Sequence, residues 1–195
     1  MLASMRSSAA ALALLLGAVV SACGGGSGGG GDLTGKVDVP DGYVLFNGSG
    51  VSFAFPAGWK VDQTPGADGA TTIAITAPNA GATPGPLIQL TIVAKGGDRF
   101  KSFVEQRRVV AEQVNGGKLD SEDEVTVRGA KRALRTTTTT PKGRGTDPVE
   151  VKSAALEAIS DANDIVVLTA ADPQRDGSGL DPDAVIDSFR FVASA

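Results

Sequence analysis

Tyr43-Val44-Leu45-Phe46, then Asn47-Gly48-Ser49-Gly50, then Val51-Ser52-Phe53-Ala54-Phe55 is the stretch on which the fold turns. Two runs rich in aromatic and branched residues flank a turn-forming tetrad, and the second run alternates so that Val51, Phe53 and Phe55 share one face. The spacing predicts a β-hairpin, with Asn47-Gly48 supplying the positive φ angles of a tight turn. Pro56-Ala57-Gly58 interrupts the pattern, and Trp59-Lys60-Val61 opens a short strand whose Trp and Val alternate inward. A lone Trp beside Phe53 and Phe55 is expected in the core rather than as a ligand platform. Further strands are expected over Thr71–Thr76 and Leu87–Val93, joined by a Pro/Gly-rich loop through residues 79–86. Five such segments before residue 95 commit the chain to a sheet.

The apolar period then changes from two to 3.6. Phe100, Phe103, Val104, Arg107, Val110, Ala111 and Val114 fall three and four apart, which predicts a helix lying on the sheet, with Asp98 as N-cap and Asn115-Gly116-Gly117 as its end. Lys101 with Glu105 and Arg108 with Glu112 stand four apart on its outer side. Four more extended stretches follow, at about 118–128, 131–140, 149–159 and 165–171. The gaps between them are short and favour antiparallel neighbours. Asp181-Pro182 is a good Ncap–N1 pair for a short helix through Val185 and Ile186, and Phe189-Arg190-Phe191 alternates again. Strands, a long helix, strands and a last short helix make an α+β domain with a predominantly antiparallel sheet.

Composition excludes several function classes. With 18 basic and 22 acidic side chains, the formal charge of −4 offers no general basic face for nucleic acid. The absence of histidine removes Ser-His-Asp and Cys-His pairs, imidazole zinc sites and histidine pH switches, and one cysteine cannot form an internal disulfide. There is no Ser-x-x-Lys and no Gly-x-Ser-x-Gly elbow; Gly48-Ser49-Gly50 and Gly177-Ser178-Gly179 are only superficially similar to one. The expectation is a monomeric non-enzyme without cofactor or metal.

The N-terminus reads as a processing signal. Arg6 provides a short basic region, and the apolar run Ala9 to Val20 is too short for a membrane-spanning helix. Val20-Ser21-Ala22-Cys23 resembles the bacterial lipobox. That resemblance implies diacylglyceryl transfer to the Cys23 thiol, cleavage after Ala22 (signal peptide 1–22), and further acylation of palmitate type. Each methylene placed in lipid contributes about 0.8 kcal/mol, so two or three chains anchor stably. Residues 24–31 are glycine and serine only, a flexible tether. With residues 23–40 taken as lipidated Cys and linker, the folded domain is expected over 41–195, on the extracytoplasmic face of the cell membrane.

Three surface features are candidates for contact. Arg128, Lys131, Arg132, Arg135, Lys142 and Arg144 form the densest basic stretch. Arg128, Lys131, Arg132 and Arg135, around the Gly129-Ala130 turn, are the candidate contacts to anionic headgroups or an acidic partner. Asp120, Glu122, Asp123 and Glu124 are an acidic cluster without the glycine or terminal carboxylate of a calcium loop, and are read as a solvated edge. Thr136–Thr140 is read as an exposed strand with weak edge-pairing potential.

The series Gly50-Val51-Ser52-Phe53-Ala54-Phe55-Pro56-Ala57-Gly58-Trp59, the amphipathic helix after the early strands, and the ending Ile186-Asp187-Ser188-Phe189-Arg190-Phe191 resemble the PsbP/Mog1-like group. Within it they are most similar to the actinobacterial LpqN/LpqT-type lipoproteins, which also carry a lipobox and tether. The resemblance covers about residues 41–195. It implies an α/β/α sandwich with an antiparallel sheet and a non-enzymatic accessory or interaction role in the cell envelope, with an envelope protein or lipid as partner. It brings no catalytic residues. The other reading is a lipid or small hydrophobic ligand carrier, in which sheet and helix part around an apolar pocket.

Overall fold

The computed structural model describes residues 32–35, 37–66, 69–78, 87–114, 116–142, 149–173 and 179–192. Cys23, the signal peptide, the glycine tether, the 79–86 loop, Arg144 and Gly177-Ser178 lie outside the described residues. In chain order the strands are β1 (Asp32–Leu33), β2 (Tyr43–Gly48), β3 (Val51–Pro56), β4 (Lys60–Pro65), β5 (Ala70–Thr76) and β6 (Leu87–Val93). A 3-10 turn at Gly97–Arg99 leads into helix α1 (Phe100–Val109), which continues as a wider π-type turn at Val110–Val114. Then come β7 (Lys118–Glu124), β8 (Thr126–Val127), β9 (Ala130–Lys142), β10 (Val149–Ser160), β11 (Ile165–Asp172), helix α2 (Pro182–Asp187) and β12 (Arg190–Phe191).

A seven-stranded sheet in the order β4-β5-β6-β11-β10-β9-β7 is antiparallel at every pairing, which the short connections require. A three-stranded antiparallel sheet, β12-β3-β2, and a two-stranded parallel pair, β1-β8, complete the fold. Alternation along each central strand divides the residues between two faces. Leu156, Leu168, Leu90 and Ile73 stand in register across β10, β11, β6 and β5 and pack against Val51 and Phe53 of β3 and Val185, Ile186 and Phe189 of the α2 segment. Val167 and Ile165 point the other way, toward Phe100 of α1. The α+β class with a predominantly antiparallel sheet is therefore present. One outer layer is α1, and the other joins the small sheet to the six-residue α2.

Several local expectations are corrected. The β2–β3 turn is Ser49-Gly50, both at positive φ (53° and 76°), because Gly48 pairs with Val51; Asn47 and Gly48 stay in the strand. Leu33 is buried in the main core through the β1–β8 pair, so packed structure begins upstream of residue 41. Asp98 sits within the 3-10 turn, and the helix N-cap is Arg99 without a side-chain cap bond. The stretch expected at 118–128 is divided into β7 and β8. Thr136–Thr140 is no edge: β9 is hydrogen-bonded to β10 on one side and β7 on the other.

Candidate functional site

Five chain segments meet at one end of the domain and leave a cleft of about 690 Å³ between them. They are the N-terminal approach with Gly35 and Val37, the β2–β3 turn, the β8–β9 turn, the β10–β11 turn and β12. Pairing of Arg190 with Ser52 and Phe191 with Val51 brings the C-terminal strand to this end, and the Val192 amide donates to Gly50 O at 3.0 Å. Gly129 in the β8–β9 turn has φ +83°, and a Cβ there would lie 2.9 Å from Phe191 Cβ, so the turn needs glycine on two counts. The Asp161 amide donates to Gly129 O at 3.1 Å and ties the two turns together.

The floor is apolar, with Val51, Ile92, Val166 and Phe191, and the rim is charged. Arg190 is spent on backbone: it donates to the carbonyls of Asp187 (2.7 Å), Phe189 and Gly35 (3.2 Å), clamping the two ends of the domain. Asp164 accepts from the Lys95 amide at 2.8 Å and braces the β10–β11 turn. Arg128 lines the cleft and makes no ion pair or hydrogen bond among the described residues. Asp161 also lines the rim, so the cleft sets an apolar floor beneath both the Arg128 guanidinium and a carboxylate.

β9 distributes the other candidate cations. Lys131 is exposed at the strand's start without an ion pair among the described residues. Arg132 faces the α1 side and pairs with Glu124 of β7 at 3.2 Å. Arg135 faces the opposite side and bridges Asp183 (2.6 Å) and Asp187 (3.0 Å) of α2. Burial pushes the Asp187 carboxyl above its ordinary value, and Arg135 pulls it back down. Strand alternation thus sends Arg132 and Arg135 to different faces, each onto carboxylates, and brings only Arg128 to the cleft.

Three of the four acidic residues of β7, Asp120, Glu122 and Glu124, are similarly engaged. Asp120 accepts from Thr139 at 2.7 Å and lies 3.6 Å from Lys118, and Glu122 pairs with Arg108. Among the described residues no cluster of His, Cys, Asp or Glu has a metal-holding arrangement, and no helix is long and apolar enough to cross a membrane. Trp59 is buried in the main core, as its neighbours suggest, but Val61, expected to point inward with it, is 39% exposed on β4.

Sequence reasoning passed over three positioning residues. Tyr43 Oη donates to Gly179 O at 2.9 Å and accepts from the Asp181 amide at 2.8 Å, fixing the approach to α2; burial raises its phenol pKa. Ser188 Oγ, buried, accepts from the Ala54 amide and donates to Val185 O, both at 2.7 Å, joining α2 to β3. Arg107 reaches from α1 to Glu157 on β10 at 2.7 Å. Only the last had a sequence signal, a cation within an apolar stripe.

No family model and no curated protein matches the chain. Among solved structures, a Pseudomonas aeruginosa protein of unknown function, PA94, is similar at a TM-score of 0.38 and 15% identity, over 67% of this chain and 82% of that one. A likeness of that size supports no statement about function.

Proposed function

We propose that the protein is a lipid-anchored cell-envelope lipoprotein of LpqN/LpqT type, with a PsbP/Mog1-like domain that works without catalysis as an interaction module at the membrane surface. The observation that carries this reading is the position of the cleft beside the N-terminal approach. Gly35 and Val37 line it, and Cys23 precedes Asp32 by nine residues, a span of at most about 32 Å when extended. Acylation of Cys23 holds the cleft-bearing end within that distance of the outer leaflet. There Arg128 and Lys131 meet anionic headgroups or an acidic membrane partner, and each cation contributes up to about 1 kcal/mol near the surface.

A second reading is supported by the cleft itself: a carrier role, in which the Val51, Ile92, Val166 and Phe191 floor takes the apolar part of a lipid or small hydrophobic ligand and Arg128 its acidic end. The volume lies within the range of about 300–1,000 Å³ usual for small-ligand sites.

Two measurements test these readings. Cys23→Ala is expected to move the protein from the membrane to the soluble fraction, and a variant that still sediments with membranes in high salt overturns the anchor. Arg128→Gln with Lys131→Gln is expected to weaken binding to phosphatidylglycerol-containing vesicles severalfold, while Arg132→Gln, whose cation is already paired, changes it little. Equal effects from both changes would remove the cleft end from consideration.

A further inference from the structure

On the opposite face of the central sheet from the cleft, α1 does not close fully onto β9, β10 and β7, and a crevice of about 180 Å³ remains. Its floor is polar in a regular way. Thr136 and Thr138 of β9 lie in register with Ala155 and Ser153 of β10, and all four line the crevice. Ala155, with only a methyl group, leaves the hollow at its centre. Glu157, two residues further along β10, also lines it and is 3% exposed. Its Oε1 accepts from Arg107 Nη1 at 2.7 Å, and Arg107 Nη2 donates to Thr169 Oγ1 at 3.1 Å. Oε2 is buried and has no hydrogen-bond partner among the described residues. A buried acceptor left unsatisfied is costly enough that a site holding one is expected to receive a donor from outside the chain.

We propose that this crevice binds a small neutral polyhydroxylated molecule, a polyol or a single sugar ring, with Glu157 Oε2 accepting one of its hydroxyls and the β9 and β10 hydroxyls serving the others. The charge arrangement selects that class. The two cations of the wall are already matched, Arg107 by Glu157 and Arg108 by Glu122, and Glu112 adds a further carboxylate, so no positive charge is left over for an anion. An organic cation would meet both guanidiniums at short range. A neutral ligand with several hydroxyls disturbs neither pair, supplies the missing donor, and exchanges donor and acceptor roles with Thr136, Thr138 and Ser153, whose hydroxyls do both. The volume equals that of roughly six liquid waters, which suits one ring and not a polymer. Burial holds the Glu157 carboxyl above its ordinary value while Arg107 opposes the shift.

The test is a titration of the full chain, isotopically labelled and held in a detergent without a sugar headgroup, with myo-inositol, glucose and mannitol, and with ethanolamine and acetate as charged controls. Saturable amide shifts centred on Thr136, Thr138, Ser153 and Ala155 are expected with at least one neutral probe in the millimolar range or tighter. Ala155→Val, which fills the hollow, and Thr138→Val, which keeps the shape and removes a hydroxyl, are each expected to weaken that binding about tenfold. Thermal midpoints should stay near that of the parent. Three outcomes overturn the proposal: no saturation by any neutral probe, binding that neither variant alters, or equal binding of a charged control at the same residues. No saturation together with a raised midpoint in Ala155→Val identifies the crevice as a water-filled packing defect.

Discussion

The two faces of the central sheet are built from the same strands and solve different problems. Toward the small sheet and α2 the surface is dry: Leu156, Leu168, Leu90, Ile73, Phe53 and Phe189 are all fully or almost fully buried in one continuous cluster. Toward α1 the apolar contact is confined to Phe100, Leu134, Ile165 and Val167 with a few half-buried neighbours, and beyond it the interface is two ion pairs and a field of hydroxyls. The helix itself leaves Val109 and Val110 exposed at 45% and 44%. Stability is therefore concentrated on one face, and the other can hold polar groups whose full satisfaction the fold does not require. Burial of apolar area stabilises irrespective of partner, whereas a hydrogen-bonded interface specifies one.

The contrast can be attacked from adjacent residues of β11, Leu168 on the dry face and Val167 on the α1 face. Leu168→Ala is expected to cost about 3–4 kcal/mol in urea unfolding and Val167→Ala about 1.5 kcal/mol; equal costs would mean that the faces do not differ. Arg107→Ala leaves Glu157 buried without its cation and is expected to cost about 2 kcal/mol, recovered in large part by the double change to Leu at both positions. The pH dependence has a definite sign. Because the folded pKa of Glu157 is raised, the folded state retains a proton that the unfolded chain has already lost, so stability declines as pH rises from the ordinary glutamate range through the raised value. Arg107, Arg108 and Glu122 are the charged groups around it, and Glu157→Gln should remove this part of the slope. Arg135→Gln, which loses two partly exposed pairs to α2, is expected to cost under about 1 kcal/mol, and Arg132→Gln under about 0.5 kcal/mol. A larger loss for Arg132 would show that the β7–β9 edge is more strongly coupled to the core than its exposure indicates.

What was legible in the sequence was what local periodicity encodes. The alternation of Val51, Phe53 and Phe55, the paired strands after residue 149 and the Asp181-Pro182 helix start all stand where expected, and Asp181 Oδ1 accepts from the amides of Asp183 and Ala184 at 3.0 and 3.3 Å. Less legible was anything decided by register. Asn47-Gly48 is the stronger turn dipeptide, yet pairing of Phe46 with Phe53, stacked at 5.0 Å, puts the turn two residues later. The two-residue β1 strand offers no period to detect, and its burial depends on β8, more than 90 residues away. The cleft arises from turns that adjoin only after folding, so Arg128 was legible as a cation and its position was not. Arg107 stood out within an apolar stripe, but its partner Glu157 is 50 positions distant and could not be named without the sheet register.

The seal on the dry face joins segments far apart in the chain. Phe189, Val185 and Ile186 complete the main cluster, Ser188 reaches back 134 positions to Ala54, and Arg190 reaches back 155 to Gly35. Such separations mean a large loop-closure entropy before any of these contacts is made, which slows folding. While residues 180–192 are still being made, β3 and the face of the central sheet beneath it have no lid. The main cluster therefore cannot close before residues 180–192 have been made.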